Sequence, residues 1–291
     1  MRPRTSCTRW IRLAGFVILA GAAGCGADFA PASYLNDLRV LAIEADPLEA
    51  APGDQVSLRP VIFVPPEQVI ESESWTFCPF SPGPSSGYRC AAPSCRQVLD
   101  PEAGGSVVSR PFDLALSCVE SLAAGGGMPA GVPAEIPEKI EVIYTYTVRA
   151  SGGAERTAVA RIPLWLEEPA ARNQPPRISR VDVGGVEVQP GDAVTPVAEG
   201  GAVDVRVQVD PASMDDFVDE AGRRRNEEPI VSYFATAGRF EAERTNGLDA
   251  SLEWKAEVLE PGQTEASIYL VVRDLRGGQT VFGPVAVPIQ P

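Results

Sequence analysis

The sequence predicts an all-β protein in which two β-sandwiches follow one another. Three observations carry this. Glycine (27) and proline (28) together exceed the roughly 12% of an average chain, which favours turns over helices. Many segments alternate apolar and polar residues with period two. The 291-residue chain also repeats itself once, and its length suits two domains of roughly 150 residues or less.

Composition then narrows the function. Hydrophobic residues at 44% and charged residues at 22% are ordinary globular values. Histidine is absent, so Ser-His-Asp and Cys-His catalysis and imidazole metal sites are excluded. The net charge is −14, and Lys139 and Lys255 are the sole lysines. A phosphate backbone would be repelled, so no nucleic-acid partner is expected.

The first element, residues 1–24, reads as a signal peptide. Arg2, Arg4, Arg9 and Arg12 precede the apolar run Leu13 to Ala20, and no acid occurs before Asp28. The run is shorter than the roughly 20 residues a spanning helix needs. It ends in Ala22-Ala23-Gly24-Cys25, which resembles the bacterial lipobox. That resemblance implies diacylation of Cys25 as the new N-terminus, with residues 25–37 as a lipid-anchored tether. Ala22 stands where leucine is usual, so plain cleavage after Ala20-Gly21-Ala22 stays open. Loss of four arginines deepens the negative charge, and so acidic a body is tethered by lipid rather than adsorbed to an anionic surface. Gly26, rather than aspartate, follows the cysteine, which suggests the outer membrane.

The second element, residues 38–167, carries Cys78, Cys90, Cys95 and Cys118. An even number of cysteines in an oxidising compartment reads as two disulfides. Three pairings are open. The turn Ser81-Pro82-Gly83-Pro84 favours Cys78 with Cys90, because it would set Trp75 to Phe80 against Tyr88 to Cys90. A four-cysteine zinc site is the alternative, although only Cys90 and Cys95 are closely spaced.

The repeat links this element to the last one, residues 177–291. Arg39 to Val56 matches Arg177 to Val194 without gaps at an offset of 138, including Pro52-Gly53-Asp54 with Pro190-Gly191-Asp192. Near the far end, Val148-Arg149, Gly152-Gly153 and Pro163 match Val272-Arg273, Gly277-Gly278 and Pro288. The first unit is the longer, and its cysteine-bearing stretch is the expected insertion. Between the units, the Pro-rich residues 168–176 read as a short, semi-stiff linker. Strands are predicted at 39–45, 56–64, 140–150, 157–166, 202–209, 230–235, 266–274 and 280–288, and no helix outside the signal.

Tyr233-Phe-Ala-Thr-Ala-Gly238-Arg-Phe240, Trp254 and Leu270-Val-Val-Arg-Asp274 with Gly277-Gly278 resemble bacterial immunoglobulin-like and PKD-like modules. Asn173-Gln-Pro-Pro176 is similar to the lead-in of such modules. The resemblance implies two immunoglobulin-like sandwiches in tandem, and is weaker over the first. With the lipobox, the whole chain resembles lipoproteins of predatory and gliding myxobacteria-type bacteria, which implies no defined activity.

Other constellations favour bland readings. Asp215, Asp216, Asp219 and Glu220 lack the spacing and central glycine of a calcium loop. Arg223-Arg224-Arg225 lies among Glu220, Glu227 and Glu228 as a self-neutralised loop. Trp75, Trp165 and Trp254 read as core or strand-edge residues. No catalytic residue, metal or cofactor is expected. The expected function is a non-enzymatic envelope spacer, scaffold or adhesion module, with an envelope protein or polysaccharide as partner and no oligomeric state implied. The alternative is a carboxylate-dependent hydrolase of polysaccharide, with acid pairs such as Glu241 and Glu243. It requires two acids meeting in a cleft, one of raised pKa.

Overall fold

In the computed structural model, which describes residues 31–124, 138–218, 221–258 and 262–291, the alternating segments are strands. The first half holds β1 (Arg39–Asp46), β2 (Val56–Phe63), β3 (Ile70–Cys78), β4 (Gln97–Leu99), β5 (Val107–Ser109), β6 (Lys139–Ala150) and β7 (Glu155–Trp165). The second holds β8 (Ile178–Val183), β9 (Val186–Glu187), β10 (Val197–Ala198), β11 (Ala202–Val209), β12 (Asp216–Val218) and β13 (Arg224–Asn226). It continues with β14 (Ile230–Ala235), β15 (Arg239–Phe240), β16 (Arg244–Asn246), β17 (Asp249–Lys255), β18 (Glu265–Arg273) and β19 (Gln279–Gln290).

Each half pairs its strands in one order. In the first, β1-β2-β5 form one sheet and β4-β3-β6-β7 the other. In the second, β8-β11-β17 and β16-β14-β18-β19 are their counterparts, extended by β9, β15 and β10, with β12-β13 as a separate hairpin. Seven antiparallel strands split three against four make an immunoglobulin-like sandwich. In both, the chain leaving the first strand meets the last strand in parallel, at Ala50 beside Leu164 and Ala193 beside Ala286.

The repeat is visible at atomic detail. Asp54 accepts from the Ala51 amide at 2.8 Å, and its repeat partner Asp192 accepts from the Gln189 amide at 2.7 Å. Gly53 and Gly191 both adopt φ near +92°, which only glycine takes without strain. The two Pro-Gly-Asp segments are the same turn.

Each sandwich has its own apolar core. In the first, cross-strand rungs set Trp75 against Tyr146 (ring centroids 4.8 Å) and Phe77 against Tyr144 (5.1 Å). Their polar tips are satisfied inside: Trp75 Nε1 donates to the Gly105 carbonyl at 2.7 Å, and the Tyr144 hydroxyl bonds Ser109 Oγ at 2.6 Å. In the second, Trp254 lies over the Ala237-Gly238 turn and donates to the Ala237 carbonyl at 3.1 Å. A Cβ at Gly238 would stand 2.5 Å from the indole, so close packing as well as φ requires glycine there.

The insertion of the first sandwich holds both disulfides, Cys78–Cys90 (Cα–Cα 5.6 Å) and Cys95–Cys118 (5.2 Å). It also holds a helix where none was predicted, α1 (Pro111–Ala124). Its signals are present but faint. Proline occupies the first helical position and Asp113 the first turn. The buried stripe, Pro111, Ala115 and Cys118, is helically spaced yet made of small residues, so no strong apolar period results. The Cys95–Cys118 bond ties this helix to a small apolar cluster of Phe80 and Ala92.

Candidate functional site

Where the two sandwiches meet, apolar residues lie on both faces of single strands. β1 buries Leu41, Ala42 and Ile43 in succession, and β18 buries Leu270, Val271 and Val272. Ile43 points into the first core, and Leu270 and Val272 into the second. Leu41, Ala42, Phe63 and Val271 form a third cluster with Val61, Phe234, Tyr269 and Val281, so β1-β2 of one sandwich packs on β14-β18-β19 of the other. Three bonds cross this layer. Arg273 Nη2 donates to the Leu41 carbonyl and Gln279 Nε2 to the Ile43 carbonyl, both at 2.7 Å, and Glu44 Oε1 accepts from the Val281 amide at 3.1 Å.

The expected tether enters this junction. Leu35 donates its amide to the Ala235 carbonyl at 2.8 Å, and the Ala235 amide returns a bond to the Ser33 carbonyl at 2.9 Å. Ser33, Tyr34, Leu35 and Leu38 are buried. Residues 31–38 therefore form a strap along the end of β14. The linker is fastened too. Arg172 pairs with Asp54 at 2.6 Å and with Glu168, and the buried Asn173 donates from Nδ2 to Asp274 at 3.0 Å.

Beside the apolar layer lies a cluster of acids around one guanidinium. Arg276, in the β18-β19 turn, reaches Glu49 of the first sandwich at 2.9 Å, and Glu227 at 3.4 Å and Asp215 at 3.9 Å in the second. It also lies 5.5 Å from the Phe217 ring. Glu49 is buried and accepts a second bond from Trp165 Nε1 at 3.0 Å. Asp274 holds the turn, accepting from the amides of Arg276 (2.7 Å) and Gly278 (2.8 Å). The side chain of Glu227 has no exposure and accepts from the Asp215 amide at 2.9 Å. Burial pushes its pKa up and the Asp274 charge adds to this, while the Asp215 amide and Arg276 oppose.

This is the arrangement a carboxylate hydrolase would need in outline, with acids brought together and one of raised pKa. Its chemistry points elsewhere. Glu227 has no face open to a substrate, and the carboxylates of Glu49 and Asp274 are taken by structural donors. Glu241 and Glu243 are both exposed, and Glu243 accepts from the Ala32 amide at 3.0 Å. The cluster is chemically a lock between the sandwiches.

Cys25 and the signal peptide lie outside the described residues, as do Asp219 and Glu220. Among the described residues no group of three acids or cysteines is placed to hold a metal ion. The four cysteines Cys78, Cys90, Cys95 and Cys118 are all in disulfides, and Trp75 and Trp254 are core residues. Trp165 is half-buried at the junction, with Lys139 Nζ 5.0 Å from its ring centroid. No local motif marks Arg276, Glu49 and Glu227 as site residues. The available signal was the loss of alternation in Val40-Leu41-Ala42-Ile43 and Leu270-Val271-Val272, since a strand apolar on consecutive positions is covered on both faces.

No protein-family model matches the chain, and no curated protein does. Among solved structures it is similar to the D00-D0 domain of intimin, at 10% identity over 88% of this chain and 99% of that one, with a TM-score of 0.24. It is also similar to fibronectin(III)-like modules of Clostridium thermocellum CbhA (10% identity, 85% and 94% covered, TM-score 0.26). Tandem immunoglobulin repeats of Dlar give 11% identity, 87% and 97% covered, and a TM-score of 0.27. The strand order, three strands against four in each half, defines the fold.

Proposed function

We propose that this chain is a lipid-anchored, non-enzymatic protein of the cell envelope whose two sandwiches act as one rigid scaffold or adhesion module. The observation that carries this reading is the junction. An apolar layer, the strap and the Arg276 cluster join two cores that flexibly linked modules would leave apart. The two disulfides fit an oxidising, extracytoplasmic compartment. Among the described residues no helix is long and apolar enough to cross a membrane, and the lipobox-like Cys25 supplies the anchor in this reading. Envelope fractionation after labelling with an alkyne fatty acid tests it. The wild type should carry label and partition with outer-membrane material, and Cys25→Ser should lose both. An unlabelled wild type, or a Cys25→Ser variant still in the detergent phase, would overturn the anchoring.

A further inference from the structure

Away from the acid cluster, strap, first sandwich and second sandwich enclose a groove of about 510 Å³, within the roughly 300–1,000 Å³ of small-ligand sites. Its floor is aromatic. Tyr269 of β18 is half-buried and Phe63 of β2 meets its ring edge-on at 6.1 Å, with Tyr34 of the strap beside them. Pro65 and Pro66 form one wall.

Gln263 donates to the Thr236 carbonyl at 3.1 Å and Thr236 Oγ1 accepts from the Ser267 amide at 2.8 Å, but five other polar groups around that floor are unengaged. The side chains of Asn36, Glu67, Glu265 and Ser267 and the hydroxyl of Tyr269 make no hydrogen bond or ion pair to other described residues, although all five line the groove. Burial pushes the Tyr269 pKa up, which keeps the hydroxyl a donor. Among the described residues no lysine or arginine lines the groove. The free set thus mixes acceptors that cannot donate, the two carboxylates, with donors on Asn36, Ser267 and Tyr269.

Those groups select the ligand. An anionic ligand meets two carboxylates and no cation. A cationic side chain satisfies the carboxylates but offers nothing to the amide and hydroxyl donors, because ammonium and guanidinium groups do not accept. A polyol does both, since each hydroxyl donates and accepts, and the apolar face of a pyranose ring lies well on an aromatic floor. We infer that the groove between strap, β2 and β18 binds an uncharged oligosaccharide, stacked on Tyr269 and held by Asn36, Glu67, Glu265 and Ser267. This deepens the non-enzymatic binding role proposed above and rests on it.

Isothermal titration of the full chain in an amine-oxide detergent, free of sugar headgroups, tests the site. The probes are the β-1,4-glucose, α-1,4-glucose and β-1,4-N-acetylglucosamine hexamers, with a hexa-arginine peptide as the cationic rival. At least one hexamer should bind saturably and be recovered uncleaved. Its affinity should fall at least tenfold in Tyr269→Ala and in Glu67→Gln/Glu265→Gln. Tyr269→Phe and the exposed Asn36→Ala preserve the packing and should weaken binding severalfold. No binding by any hexamer, binding unchanged in these variants, or tighter binding of the peptide would overturn the inference. Cleaved sugar would instead refute the non-enzymatic reading and leave the site standing.

Discussion

Replacing Arg276 by methionine is the sharpest perturbation of the junction. The change keeps an unbranched apolar stem and removes a cation that pairs with Glu49, Glu227 and Asp215. Breaking a buried pair costs about 3–5 kcal/mol, because the remaining charge is left without compensation. The Arg276 side chain is 22% exposed against 4% for Glu49, which sets the expectation at the low end, about 3 kcal/mol. Glu49→Gln alone should cost only about 1 kcal/mol, since the amide oxygen still accepts from Trp165. In the double variant no orphaned Glu49 charge remains. The two losses should therefore fall short of additivity by about 1–2 kcal/mol. Urea unfolding followed by tryptophan fluorescence reads this, with Trp165 inside the cluster as a reporter. At a slope of about 3 kcal/mol per molar, Arg276→Met should lower the midpoint by about 1 M. A midpoint within about 0.2 M of wild type, or strict additivity, would mean that Arg276 is a solvated surface group and the junction is not held electrostatically.

Three further outcomes are expected. The raised pKa of Glu227 means the folded state binds its proton more tightly. Its contribution is then complete below the unfolded value of about 4.3 and lost as pH rises through the folded one. Glu227→Gln should flatten melting temperature between pH 4.5 and 7.5, and an unchanged slope would assign the pH dependence elsewhere. Gly238→Ala should cost about 3 kcal/mol, combining left-handed strain with overlap on Trp254, whereas Gly222→Ala, similar in φ (+74°) but facing open space, should cost about 1–2 kcal/mol. Equal losses in thermal melts would refute the packing argument. Removing Cys95 and Cys118 together should destabilise the first sandwich by about 3 kcal/mol and expose α1 to hydrogen exchange, and native-like protection of α1 would count against its being held by that bond.

What could be read in advance follows the physics of each element. β11 was legible to the residue, because Val203, Val205, Val207 and Val209 alternate with polar partners. β17 was not. Its inward residues are Ala250, Leu252 and Trp254, and the outward Asp249, Ser251, Glu253 and Lys255 dilute the apolar signal although burial alternates perfectly. The repeat revealed the paired turns, but repeat position did not carry role: Glu49 is buried in the junction and its counterpart Glu187 is exposed. Arg276 looked like a turn residue and Glu227 like part of a solvated loop. Their meeting depends on how one sandwich lies on the other, which no local pattern encodes. The same packing bears on the isolated second sandwich, which would expose Phe234, Tyr269, Val271 and Val281.

The strap decides how a pull on the chain would travel. Tension arriving from the N-terminal side of Pro31 meets the bonds of Ala32 to Glu243 and of Ser33 and Leu35 to Ala235 before it reaches Leu38. The sandwich that comes later in sequence therefore takes the first share of the load. It passes that share to β18, which pairs with β14, and through β18 to β19, the next strand of the same sheet. From there Arg273, Gln279 and Val281 return it to β1. The two sandwiches bear force side by side rather than one after the other, so the chain yields as a bracket and not as a string of beads.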